Sequence, residues 1–109
     1  MKKFLVLFSI LISTALCANA AINTEAMLKY NQGIDLYKVG QYDKSVESFR
    51  EAIRIDPNYI DAYYNLGSVL EYLGQYEAAL AVFKQVIVRQ PSDYDSVYKA
   101  AWLSHKLGQ

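Results

Sequence analysis

The chain of 109 residues balances 11 Lys and Arg against 11 Asp and Glu and holds one cysteine. That balance offers no basic stripe for a phosphate backbone, so nucleic acid is not an expected partner, and a single thiol excludes an internal disulfide. The length suits one small domain that packing alone must hold together.

Residues 1–20 read as an export signal. Lys2 and Lys3 give a positive start, Phe4 to Leu16 an apolar run, and Ala18-Asn19-Ala20 a small-x-small cleavage site, so that the mature chain starts at Ala21. The run is broken by Ser9, Ser13 and Thr14 and falls short of the about 20 apolar residues that cross a bilayer. No membrane span is expected after cleavage, and the expected location is the periplasm or the exterior. Cys17 follows Leu16, where lipid attachment needs a small side chain, so it is not expected to be acylated. Cleavage leaves 89 residues, no cysteine, and nine Lys and Arg against eleven Asp and Glu.

Beyond the signal, apolar residues recur at helical spacing, as in Leu66, Val69, Leu70 and Leu73 followed by Ala79, Leu80, Phe83, Val86 and Ile87. The pattern predicts five helices, 26–39, 42–55, 60–73, 76–89 and 94–107. Gly40 and Gly74 can take the left-handed conformation that closes a helix, and Pro57 and Pro91 follow the ends of the second and fourth. Asn58 and Ser92 are the expected N-caps, with Asp61 and Asp95 three residues on in an approximate capping box. Asp43 and Glu77 set negative charge in the first turns of their helices, against the positive dipole end.

The segment from Gly40-Gln41-Tyr42 through Phe49 to Pro57 returns as Gly74-Gln75-Tyr76 through Phe83 to Pro91, every landmark displaced by 34 residues. Tyr30/Tyr64, Gly33/Gly67, Leu36/Leu70 and Ile53/Ile87 obey the same displacement. A period of this size signals stacked helical hairpins, none of which can bury its apolar face alone. Gly33 and Gly67 stand inside predicted helices, where glycine costs about 1 kcal/mol relative to alanine. A closely approaching neighbour is the expected compensation. Phe49 and Phe83 are expected to fill the seam between units.

Tyr63-x-x-Leu66-Gly67-x-x-Leu70, followed by Tyr76, Ala79, Phe83 and Pro91, resembles a tetratricopeptide repeat. The resemblance runs from about residue 26 to 109. It implies an all-α fold, an α-solenoid of antiparallel helical hairpins, divided into repeats 26–59 and 60–93 and a capping helix within 94–109. Lys29 and Gln32 replace Tyr63 and Leu66 in the first copy, which marks that copy as terminal. Ser96, Lys99, Ser104, His105 and Lys106 suit a solvated last helix.

In this family the first helix of each hairpin lines a concave groove. The positions implied are Tyr30, Ile34 and Tyr37, then Asp61, Tyr64, Ser68, Glu71 and Tyr72, then Asp95, Tyr98 and Trp102, bordered by Met27, Lys38, His105 and Lys106. Aromatic side chains give large contact area at low entropic cost. The groove therefore suits an extended peptide or a partner's helix, and Asp61, Glu71 and Asp95 favour one bearing Lys or Arg. The family's clamp for a C-terminal carboxylate would need basic or amide residues at Tyr30, Ile34, Asn65, Asp95 and Lys99. Only Asn65 and Lys99 comply, so that ligand is not expected.

No enzyme chemistry, cofactor or metal is expected. His105 is the only histidine, no serine sits in a strained elbow, and no His pair or carboxylate loop has ligand spacing. The reading is an exported protein-interaction module serving an envelope or secretion assembly. Two alternatives stay open, a homodimeric scaffold and a cell-wall glycan binder using Tyr64, Tyr98 and Trp102 beside Asp61 and Asp95.

Overall fold

The computed structural model describes residues 23–109; the expected signal, its cleavage point after Ala20, and Cys17 lie outside them. Five helices follow in order: α1, described over 23–38, α2 (Tyr42–Ile55), α3 (Ile60–Tyr72), α4 (Tyr76–Arg89) and α5 (Tyr94–Lys106). Among the described residues all regular structure is helical, as the periodicity predicts, and no helix is long and apolar enough to cross a membrane.

The first helix of each hairpin ends in the same way. Gly40, Gly74 and Gly108 take φ of 81°, 78° and 75°, which lets the chain fold back on the last turn. Gly74 then donates its N–H to the Glu71 carbonyl at 3.0 Å and Gln75 donates to the Leu70 carbonyl at 2.9 Å. Gly40/Gln41 and Gly108/Gln109 repeat the pair of bonds, so three successive ends share one capping motif that satisfies the orphan carbonyls.

The second helices stop differently. Asp56 is extended, at φ −127°, and Gln90 has left the helical region, at φ −139° and ψ 80°, because the proline ring that follows each one clashes with a helical predecessor.

The N-caps differ from expectation by one residue. The turns Pro57-Asn58 and Pro91-Ser92 each take in a further residue, so Tyr59 and Asp93 occupy the cap positions. Asn58 instead donates its backbone N–H to Asp56 Oδ1 at 3.1 Å, and Tyr59 caps α3 without a side-chain bond. Asp93 accepts from the Ser96 N–H at 3.4 Å and from its Oγ at 2.8 Å. Ser96 is consequently buried rather than solvated. Lys99 is half-buried as well, while His105 and Lys106 are exposed.

Consecutive helices pack in series, α3 between α2 and α4, with α5 laid on α4. Phe49, Phe83, Leu70, Val86 and Leu103 form the fully buried centre. The interior glycines explain the seam: a Cβ on Gly33 would meet the Phe49 ring at 2.7 Å, and one on Gly67 would meet the Phe83 ring at 2.9 Å. Each glycine is thus a seat for the aromatic ring of its own hairpin partner. In the first unit Ser45 Oγ also donates to the Gly33 carbonyl at 2.7 Å, tying α2 to α1 where the second unit has Ala79.

Candidate functional site

Alternate helices α1, α3 and α5 present one face, and the residues expected in the groove divide there into two groups. One group is spent on holding the helices together. Asn65 Nδ2 donates to the Tyr30 hydroxyl at 2.8 Å, and the Tyr30 ring lies 5.7 Å from Phe49 and stacks on Tyr59 at 5.0 Å. Tyr64, one repeat later, sets its ring edge-on to Phe83 at 5.8 Å and donates its hydroxyl to Asp95.

These attachments appear in the titration of the phenols. The hydrogen bond to Asp95, reinforced by burial and by the Asp95 charge, pushes the Tyr64 pKa up to about 12. Tyr30 is raised chiefly by burial and secondarily by Asp61, and Tyr59 is raised by burial and by its neighbours Tyr30 and Asp61. In every case the neutral phenol is the form the fold favours.

The other group stays open. Ile34, Tyr37, Phe49, Asn65, Ser68 and Val69 border a narrow recess of about 160 Å³ between α1 and α3. Tyr37 and Ser68 also border a wider recess of about 380 Å³, whose remaining walls are Glu71 and Tyr72 of α3, Tyr76 of α4, and Lys99 and Trp102 of α5. The structure therefore brings together Ile34, Tyr37, Ser68, Glu71, Tyr72 and Trp102. Tyr98 is exposed on α5 and Asp61 exposed on α3, and neither borders either of these two recesses.

The first residues of the second helices join this face although the sequence reading left them out of it. Tyr42 packs between Tyr37, at 5.4 Å, and Tyr72, at 4.9 Å, and the adjacent Tyr72 hydroxyl raises its pKa. Tyr76 stands edge-on to Trp102 at 6.3 Å. Lys106 Nζ lies 4.4 Å from the Tyr76 ring centre and 4.8 Å from that of Trp102. Lys38, Tyr72 and Lys106 are one repeat apart, so Lys106 covers Tyr76 from the place where Tyr72 covers Tyr42. The signal was present in Tyr42 and Tyr76, both repeat landmarks, but their position after the tight glycine turn concealed which face they reach.

Glu71 Oε2 and Lys99 Nζ form an ion pair across the floor at 3.3 Å. With Lys99 paired, Asn65 bonded to Tyr30 and Asp95 bonded to Tyr64, the two clamp positions that complied in sequence are already engaged by groups of the chain itself. Among the described residues no group of three or more His, Cys, Asp or Glu could hold a metal ion.

A family model described as TPR repeat matches residues 33–74, and a second, described as Tetratricopeptide repeat, matches 60–93. Among solved structures, a crystal structure of MamA superposes with a TM-score of 0.74 at 22% identity, covering 79% of this chain and 50% of that one. MamA 41-end from Desulfovibrio magneticus RS-1 gives 0.70 at 24% identity, covering 76% and 47%. The second TPR domain of the human RPAP3 protein, solved in complex with the HSP70 peptide SGPTIEEVD, gives 0.67 at 22%, covering 73% and 67%. The chain spans about half the length of the MamA chains that it matches, and no curated protein matches it. Two overlapping family matches that together span residues 33–93, on a stack of helical hairpins each closed by a glycine-seated phenylalanine, leave one assignment: the chain belongs to the tetratricopeptide repeat family.

Proposed function

We propose that this chain is a protein-interaction module that holds an extended peptide or a partner's helix in the trough of α1, α3 and α5. The observation that carries the reading is the open aromatic border of the two joined recesses. Tyr37, Tyr72 and Trp102 remain 43%, 64% and 40% exposed, and Tyr98 beyond them 68%. Single exposed apolar residues are ordinary, but a contiguous run of large rings around a concavity marks a docking surface. The same fold carries a bound peptide in the RPAP3 domain, which supports peptide docking as the use of this one.

Export to the periplasm or exterior, and service in an envelope or secretion assembly, complete the proposal. They rest on Lys2-Lys3, the apolar run and Ala18-Asn19-Ala20. Mass spectrometry of the protein isolated from its native host should find a chain beginning at Ala21.

Site-specific photocrosslinking in the native compartment tests the trough. A photoreactive side chain at Tyr72 or Tyr98 should capture a protein partner, and one at Arg54, on the outer side of α2, should not. Capture from Arg54 with none from the two trough positions would overturn the reading.

A further inference from the structure

The wider recess contains a chemistry that its shape alone does not explain. Lys99 of α5 lines it, Lys106 of α5 lies over two of its ring walls, and each makes the kind of contact a foreign cation would make. Lys99 meets the Glu71 carboxylate at 3.3 Å, and Lys106 lies over the perpendicular rings of Tyr76 and Trp102 at 4.4 and 4.8 Å. An aromatic corner attracts a cation through the negative faces of its rings, and a carboxylate adjoining it supplies the full countercharge.

We propose that this recess is a pocket for a Lys or Arg side chain of the partner, with Lys106 and Lys99 as internal occupants that the incoming cation displaces. This rests on the peptide-binding reading of the trough and adds to it the residue type that anchors the peptide. The incoming cation would meet the same rings that Lys106 covers and the same carboxylate that Lys99 pairs with.

The two internal contacts differ in how readily they yield. Glu71 and Lys99 have about three-quarters of their side-chain surface covered, so that pair opens only where the incoming cation takes over the Glu71 carboxylate. Lys106 is exposed in the last turn of α5, so its long side chain can swing into solvent without unfolding anything. The repeat itself shows that the cation is dispensable to the stack, because the equivalent position in the preceding unit is Tyr72, packed on Tyr42. An acidic peptide would find the Glu71 carboxylate facing it.

Trp102 is the only tryptophan of the chain, so its emission reports directly on the corner. The test uses the full mature chain and acetylated Gly-Ser peptides with one central Lys, Arg, norleucine or Glu. The Lys and Arg peptides should shift Trp102 emission with a dissociation constant about fivefold below that of the norleucine peptide, the scale of one exposed cation–π contact. Glu71→Gln should erase that preference. Lys106→Met, which removes the occupant while keeping the stem that covers Tyr76, should tighten the Lys peptide further, because no internal cation then competes.

Equal binding of the norleucine and Lys peptides would overturn the cation pocket while leaving a peptide trough intact. Failure of every peptide against Lys106→Met would overturn it too, with crosslinking from Tyr98 deciding the trough separately. A shift with N-acetylglucosamine oligomers and none with Lys or Arg would replace it with a sugar platform.

Discussion

Arg89 and Tyr63 converge on one acceptor: Arg89 Nε donates to the Pro57 carbonyl at 2.9 Å, the Tyr63 hydroxyl donates to it at 2.8 Å, and the guanidinium lies 4.5 Å above the Tyr63 ring. The end of α4 is thereby fastened to the turn between α2 and α3, one repeat earlier. Arg89 also donates Nη1 to the Gln85 carbonyl and to Gln85 Oε1, which fixes its planar fork. An ammonium cannot reproduce that geometry. Arg89→Lys should destabilise the chain by about 1 kcal/mol, read as a lower urea midpoint at unchanged slope.

The glycine seats predict a change of sign. Gly67→Ala alone gains about 1 kcal/mol of helix propensity but drives a methyl into a ring that is fully buried and cannot retreat, at a cost of about 1–3 kcal/mol for overpacking. Phe83→Ala should cost about 3–5 kcal/mol. In the Phe83→Ala background the methyl no longer clashes, so Gly67→Ala should become stabilising. A double-mutant cycle by circular-dichroism melts checks this, and a cycle that is additive would refute the seat.

Gly74 separates conformation from contact. Its φ is +78° and a Cβ there would meet nothing within 4 Å, so a side chain costs only the left-handed backbone, about 1–2 kcal/mol for alanine. Gly74→Asn should cost less than Gly74→Ala, since asparagine tolerates that conformation. The same pair of substitutions at Gly67 should not rank this way, because the obstacle there is steric. Thermal melts of the four variants give the comparison.

Tyr64 makes stability depend on alkaline pH. Its pKa rises from 10.0 to about 12 through the hydrogen bond to Asp95 and burial, so the folded state retains the proton longer than the unfolded chain does. The contribution is whole below pH 10 and is lost as pH climbs from 10 to about 12, where the unfolded state gains by ionising first. Tyr64→Phe should flatten that part of the stability profile. An ultraviolet titration should show one late-ionising phenol fewer in the variant.

Much of this architecture can be read from local pattern. The bounds of α2 and α4 fall where the apolar period and the flanking glycine and proline put them, and α3 and α5 each end one residue early. The glycine caps and the Gly–Phe seams follow the 34-residue displacement, because turn chemistry and helix pitch act over a few residues and repeat with them. Asn58 and Ser92 show the limit of such reading. Both are good capping residues at nearly the right place, yet the width of the proline turn moves the caps to Tyr59 and Asp93.

The division of the trough needed the assembled stack. Tyr30 and Tyr64 look in sequence like Tyr72 and Tyr98, yet two are consumed by Asn65 and Asp95, 35 and 31 residues away, while two face water. The sequence alone determined the elements and their period, since those depend on each residue and its near neighbours. Only the tertiary structure decided which hydroxyls, carboxylates and lysines spend themselves on the next helix, because partners a repeat apart meet through the crossing of three helices, and no spacing along the chain encodes that crossing.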